Sequence, residues 1–220
     1  MHRSFKHWTI RYVWNRTKEK LFRRMNPGLP WFTPQAVEFL QDFLLKTDVG
    51  LEFGSGRSTL WFARRVQHLT SVEHNPEWSA RVTVSLSKQK ITNVDLIHQP
   101  KLQGTSPDVV NSGYVLATAK FMKESLDFVS IDGIYRAECT IRSIPLLKPG
   151  AILIIDNVNK YLPGSSIAPN SRTYAEGPDG PVWSEIWKIL QSWRHFWTSN
   201  GVSDTAIFFK PAKINPGGNI

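Results

Sequence analysis

Val49-Gly50-Leu51-Glu52-Phe53-Gly54-Ser55-Gly56-Arg57-Ser58-Thr59 is the stretch from which the fold of this chain is read. A short apolar run, Val49 to Phe53, breaks at two glycines and gives way to Thr59 through Val66, whose apolar spacing is helical. A strand that turns through glycines straight into a helix is the opening unit of an open α/β sheet. Its turn lies where such sheets bind their ligands. Gly54 and Gly56 leave the backbone open to a ligand, and Ser58 or Thr59 can cap the helix that follows.

The same alternation continues outward. Leu69 to Glu73 reads as a strand, Glu77 to about Lys90 as a helix and Val94 to His98 as a strand. Leu126 to Ile131 and Ala151 to Ile155 are strands around a helix from Arg136 to Leu147, which the Lys148-Pro149-Gly150 turn ends. Upstream, Thr33-Pro34 starts a helix with Val37, Leu40 and Leu44 on its apolar stripe, ending near Lys46. Downstream, Trp183, Ile186, Trp187 and Leu190 form a helical stripe. His195 to Thr198 and Thr205 to Lys210 then read as strands joined at Asn200-Gly201. The expected fold is α/β: a doubly wound, mostly parallel seven-stranded sheet with a C-terminal antiparallel hairpin and helices on both faces. It occupies residues 36–212, after a basic N-terminal helical segment and linker (1–35) and before a flexible tail (213–220).

With 220 residues and 41% hydrophobic content, the chain is expected to build one core and one active site. It has no apolar run of membrane-spanning length and no secretory signal pattern, so a soluble, cytoplasmic protein is the expectation. The single cysteine, Cys139, excludes an internal disulfide and a thiolate zinc site. Net charge is +9, of which residues 1 to 24 carry +7: Arg3, Lys6, Arg11, Arg16, Lys18, Lys20, Arg23 and Arg24 against Glu19. Such a segment attracts acidic lipid headgroups, a phosphorylated substrate or nucleic acid, nucleic acid being the less favoured partner. Ile10, Val13, Trp14 and Leu21 recur at roughly helical spacing. An interfacial helix at the inner membrane face is one reading, and a helix that packs Trp8 and Trp14 on the domain is the other.

The glycine turn also narrows the ligand. A dinucleotide fingerprint asks for Gly or Ala three residues after Gly56, where this chain has Thr59. Glu52-x-Gly54-x-Gly56-x-Ser58 resembles instead the acidic-x-Gly-x-Gly-x-small pattern of the class I S-adenosylmethionine-dependent methyltransferases, as does the terminal hairpin. The resemblance implies S-adenosylmethionine held by Glu52, Gly54, Ser55, Gly56, Ser58 and Thr59, with Glu52 orienting the loop and offsetting the methionine ammonium. Glu73, seventeen residues after Gly56 at the end of the next strand, can accept hydrogen bonds from both ribose hydroxyls. A solvated strand-end carboxylate is its plainer reading, and His74 beside it reads as a bystander. Asp127 through Gly133 is a buried strand that delivers Asp132 to the same sheet edge, where the family places an acid beside the cofactor and the reacting centre.

Three acceptor chemistries leave traces in sequence. Asp132 is followed by Gly133-Ile134-Tyr135, so the Asn/Asp-Pro-Pro-aromatic motif of exocyclic-amine methylation is absent. Cys139 falls inside a helix, which removes the nucleophile of carbon-5 pyrimidine methylation. Oxygen methylation survives, with Asp132 and Asp156 as the catalytic candidates. The sequence further resembles the catechol and caffeoyl-coenzyme A O-methyltransferases, whose divalent metal is held at the positions of Asp132, Asp156 and Asn157, oxygen ligands that suit magnesium. Those families place a lysine base where this chain has Tyr135 and Arg136, and a metal-free Asp156 acting as base or capping the loop is the alternative. Asp132-Gly133 with Tyr135-Arg136-Ala137-Glu138 also resembles uncharacterised methyltransferases of bacterial sugar and polysaccharide modification. The expected acceptor is a small molecule or saccharide. RNA or protein methylation and a catalytically silent S-adenosylmethionine-binding domain are the other readings. Lys101 to Met122 and the loop 159–182, with Arg172, Tyr174 and Glu176, are expected to shape the acceptor pocket, and Trp183 and Trp187 either border it or pack in the core.

Overall fold

The computed structural model describes residues 9–104 and 108–212. Trp8, the tail 213–220 and part of the Lys101–Met122 stretch lie outside the described residues. Helix α1 (Ile10–Met25) leads through an irregular segment to α2 (Pro34–Phe43). The sheet unit follows as β1 (Val49–Phe53), α3 (Arg57–Ala63), β2 (His68–Glu73), α4 (Pro76–Lys88) and β3 (Val94–His98). A short α5 (Gly113–Leu116) precedes β4 (Leu126–Ile131), α6 (Arg136–Ser143), β5 (Leu147–Asp156), α7 (Pro181–Leu190) and the hairpin β6 (Arg194–Ser199) and β7 (Asp204–Phe209).

The strands lie in the order β3-β2-β1-β4-β5-β7-β6, parallel except for β7, which runs antiparallel to both β5 and β6. The seven strands and the hairpin are those expected from the sequence. Successive strand residues alternate between two apolar layers. Leu51, Phe53, Val129, Ile131, Leu153 and Ile155 face α6 and α7, while Phe128, Ile152 and Ile154 meet Trp61 and Phe62 of α3 and Leu40 of α2. Because both faces are covered, the central strands are apolar throughout, as parallel strands must be.

Element ends differ from the sequence reading where local chemistry intervenes. Helix α6 stops at Ser143 and continues as a tight turn over Ile144–Leu146, because Pro145 cannot donate the next helical hydrogen bond. Helix α3 starts two residues early, since the Gly56 N–H bonds the Thr59 hydroxyl at 2.9 Å and closes the first turn. The loop after β5 is ordered by Arg172, whose guanidinium donates to the carbonyls of Gly177 and Glu176 and to Asp179 Oδ1 at 3.1 Å.

Candidate functional site

From β1 the chain goes first to β2 and β3 on one side and then crosses to β4 and β5 on the other. That reversal opens a crevice at the carboxyl ends of β1 and β4, the place where open α/β sheets bind ligands. A cleft of about 490 Å³ lies there. The turn Gly54-Ser55-Gly56 forms its floor, with Glu73 from β2 on one side and Asp132-Gly133 from β4 on the other; Trp31 and Trp78 also line it. Of the residues expected at the site, Gly54, Ser55, Gly56, Ser58, Glu73 and Asp132 line the cleft, whereas Glu52 and Thr59 sit beneath it, fully buried.

The two glycines serve different needs. Gly54 has φ +96°, and a Cβ there would fall 2.7 Å from the Gly133 nitrogen and 2.8 Å from the Asp132 carbonyl carbon. Packing of β1 against β4 therefore forbids a side chain. At Gly56 the backbone is extended, and a Cβ would meet only the Trp78 ring, at 3.5 Å or more. Nothing in the protein requires glycine at 56, so the space it leaves is available to a ligand.

Glu52 works under the floor. Its Oε2 accepts from the Thr59 hydroxyl at 2.5 Å and from the Ser71 hydroxyl at 2.6 Å, and Thr59 in turn accepts from the Gly56 N–H. The carboxyl thus reaches the loop through Thr59, but it lies too deep to meet a ligand's ammonium directly. Burial pushes it up to about 7, against the hydrogen bonds of Ser58, Ser71 and Thr59. Glu73 is held as firmly: Oε2 accepts from the Ser55 N–H at 3.0 Å, and Oε1 accepts from the N–H groups of His74 and Asn75 at 2.9 and 2.8 Å. It is a fixed acceptor rather than a solvated strand end. The His74 Nδ1 lies 3.0 Å from Glu73 Oε1 without forming a hydrogen bond to it.

Across the cleft, Arg136 organises the acids. Its Nη2 donates to Asp132 Oδ1 at 2.8 Å and to the Asp132 carbonyl at 2.9 Å, Nε donates to the Gly133 carbonyl at 3.0 Å, and Nη1 donates to the Asp156 carbonyl. Asp156 is buried behind this guanidinium and does not line the cleft; its Oδ1 accepts from the Thr205 hydroxyl and its Oδ2 from the Asn157 amide, both at 2.8 Å. Burial and the neighbouring Asp132 push the Asp156 carboxyl well above the carboxylate range. The expected magnesium site at Asp132, Asp156 and Asn157 therefore does not fit. A guanidinium already neutralises the pair, the Asn157 amide turns its N–H toward Asp156, and Lys160 Nζ sits 3.3 Å from the Asn157 oxygen. Among the described residues no group of three or more His, Cys, Asp or Glu converges as a metal site.

Cys139 is fully buried within α6 and does not line the cleft. Trp183 is core, stacked on Tyr161 at 5.0 Å, whereas half-buried Trp187 borders a second pocket. That pocket, of about 310 Å³, is also lined by Tyr174, His195, Trp197 and Asp204. Residues with no sequence signal also appear at the main cleft. Gly133 admits no Cβ because Tyr114 Oη would lie 1.9 Å from it; Trp78 Nε1 donates to the Ser55 carbonyl at 2.6 Å; and Trp31 arrives from the segment before α2, with the Arg23 guanidinium 4.9 Å from its ring. Only Gly133, next to Asp132, was open to inference by adjacency.

A family model described as a methyltransferase domain matches residues 51–158, from β1 to the turn beyond β5. No curated protein matches the sequence. Among solved structures, a methyltransferase-like protein of Silicibacter pomeroyi is 20% identical, with a TM-score of 0.54 over 84% of this chain and 90% of its own. A Staphylococcus aureus protein described as a candidate caffeoyl-CoA O-methyltransferase is 17% identical, with a TM-score of 0.57 over 94% of this chain and 95% of its own. A candidate methyltransferase of Streptococcus mutans, solved with SAH, is 13% identical, with a TM-score of 0.52 over 79% of this chain and 94% of its own. At these identities the likeness is one of fold. The domain match covers every strand that builds the cleft, so this chain carries an S-adenosylmethionine-dependent methyltransferase domain, on a Rossmann-like mixed seven-stranded sheet.

Proposed function

We propose that this methyltransferase acts on a hydroxyl oxygen of a small molecule or saccharide, without a metal. The observation that carries the reading is Asp132. Its carboxylate stands on the cleft wall, its side chain 29% exposed, while Arg136 fixes its orientation from behind. Because β2 and β4 flank β1, Glu73 and Asp132 stand on either side of the glycine turn. Glu73 would hold the ribose of S-adenosylmethionine, and the open backbone at Gly56 would admit the rest of the ligand into the cleft that Asp132 lines. Bound S-adenosylmethionine supplies an electrophilic methyl group. The acceptor oxygen forms the new bond to that methyl carbon as the carbon–sulfur bond breaks, and Asp132 takes the hydroxyl proton. Asp156 cannot touch the acceptor; it is a positioning residue, tied to Asp132 through Arg136 and to the hairpin through Thr205. The second pocket suits a hydroxylated ring, since Trp187, Trp197 and Tyr174 offer apolar faces beside Ser165, Ser166 and Ser199.

Calorimetric titration with S-adenosylmethionine, S-adenosylhomocysteine and NADH separates the cofactor classes. Micromolar binding of the two adenosyl ligands, weakened about tenfold or more in Glu73→Ala, is the expected result. Screening hydroxylated sugars as acceptors follows, and Asp132→Asn should retain S-adenosylhomocysteine binding while losing turnover. An Asp132→Asn variant that turns over at the wild-type rate would sink the assignment of Asp132 as base.

A further inference from the structure

Helix α1 carries its polarity the opposite way round from a helix that only packs on its own domain. The side turned to the domain centres on a charge cluster: Glu19 is 7% exposed and paired with both Arg16 and Arg23, with half-buried Asn15 and the ring of Phe22 beside it. The side turned to solvent is apolar. Ile10 is 93% exposed, Met25 70%, Trp14 60%, Leu21 56% and Val13 47%. The expectation that Trp14 packs on the domain is thereby corrected, because the buried Glu19 and its arginines occupy the inner face. At about 100° per residue these five side chains form a stripe roughly 120° wide. Lys18 and Arg11 border one flank and Lys20 the other, while Arg24 and Thr17 stand between Val13 and Ile10 near that second edge; all are exposed, and Lys18 Nζ lies 5.1 Å from the Trp14 ring centre. The one acid of the helix is the buried Glu19, so the outward face bears no negative charge.

We propose that α1 docks this protein on an anionic lipid bilayer, lying in the plane of the interface with Ile10, Trp14, Leu21 and Met25 among the upper acyl carbons and the flanking lysines and arginines at the phosphates. Both halves of the pattern are used at once only by such a surface. A second copy of the chain would bring the basic flanks against each other. A nucleic acid would engage the charges and leave the apolar stripe in water. At 16 residues the helix is about 24 Å long, suited to lying on a bilayer, and no helix among the described residues is long and apolar enough to cross one. The inner face of α1 reaches the active cleft through Arg23 over Trp31. One element thus joins the docking face to the catalytic site.

The test is co-sedimentation of the full chain with vesicles of phosphatidylcholine alone and of phosphatidylcholine with phosphatidylglycerol, at low and high salt. Partition onto the anionic vesicles should be at least about tenfold stronger, and should weaken with salt. The double variant Trp14→Ser/Leu21→Ser, which leaves charge unchanged, should lower it about tenfold or more; Lys18→Glu/Lys20→Glu should lower it similarly. Both variants alter exposed side chains, so thermal stability and S-adenosylhomocysteine affinity should stay at wild-type values. Absence of partition onto anionic vesicles overturns the proposal, as does partition that the serine variant leaves intact. Two further results would also overturn it: a dimer in light scattering that the serine variant dissolves, or retention on single-stranded RNA without vesicle binding.

Discussion

Replacing each glycine of the cofactor turn by alanine should separate two roles that look identical in sequence. At position 54 the substitution puts a Cβ on a residue with φ +96° and within 2.7–2.8 Å of the backbone of Asp132 and Gly133. Left-handed backbone costs a non-glycine residue roughly 1–2 kcal/mol, and forcing an atom into packed backbone costs about 1–3 kcal/mol more. Gly54→Ala should therefore lose about 2–5 kcal/mol, a fall in Tm of roughly 5–15 °C for a chain of this size. At position 56 the backbone is extended and the new Cβ meets Trp78 at an ordinary 3.5 Å. Gly56→Ala should keep its stability within about 1 kcal/mol of wild type, yet bind S-adenosylhomocysteine roughly 10–200-fold more weakly, because one carbon now stands where the ligand approaches. Differential scanning calorimetry reads the first quantity and titration calorimetry the second. Wild-type affinity in a well-folded Gly56→Ala would refute the idea that a ligand lies against this backbone. A wild-type Tm in Gly54→Ala would refute the packing argument.

The remaining predictions concern charge and packing. Glu52 is raised from 4.5 to about 7 in the folded protein, so the folded state keeps a proton that the unfolded chain has lost across that window. Its stabilisation, at most about 3 kcal/mol, is present below the unfolded value and fades as pH rises through the folded one. Thermal scans between about pH 5 and pH 8 should show this decline, and Glu52→Gln should flatten it in part, with buried Asp156 supplying the remainder; stability that rises with pH over this range would contradict the assignment. Millimolar magnesium should move Tm by less than about 1 °C, since Arg136 already satisfies Asp132. Arg136→Ala should destabilise by about 3–5 kcal/mol through the acids left uncompensated; a magnesium-induced rise in the wild-type Tm would reopen the metal reading. Trp183→Ala, which empties the stack on Tyr161, should cost about 3–5 kcal/mol. Trp187→Ala should cost far less and should appear in acceptor KM, a split that kinetics and calorimetry together can check.

Arg136 explains why the resemblance to metal-dependent O-methyltransferases ends at residue type. Position by position, Asp132, Asp156 and Asn157 stand where oxygen ligands are wanted, and nothing in their spacing says what fills the gap between the strand ends. A guanidinium with fixed donors can bond carbonyls and a carboxylate together, and here it does so across Asp132, Gly133 and Asp156. Asp156 is thereby moved from candidate base to support, a change that follows from its burial and from Thr205 reaching it across the hairpin.

The strands and the glycine turn were legible because their signals are local. Val49–Phe53, Val94–His98 and Leu126–Ile131 fall at the residues expected from apolar runs bounded by turn formers, and Glu52, Gly54, Gly56 and Glu73 announce themselves by spacing along one strand-turn-helix-strand unit. Parallel order then follows from alternation, and convergence of strand ends on one cleft follows from parallel order. What sequence could not carry is anything decided between segments far apart in the chain. Whether Glu52 touches the ligand or underpins Thr59 depends on depth. Whether Trp14 or Trp183 is buried depends on which neighbour covers it, since both sit on helices with apolar residues at helical spacing. Trp31 reaches the cleft only because the segment before α2 folds over it. Local propensity and pattern fix the elements and their order; burial, and with it the direction each polar group must face, is settled only when the tertiary structure chooses which surfaces lose their water.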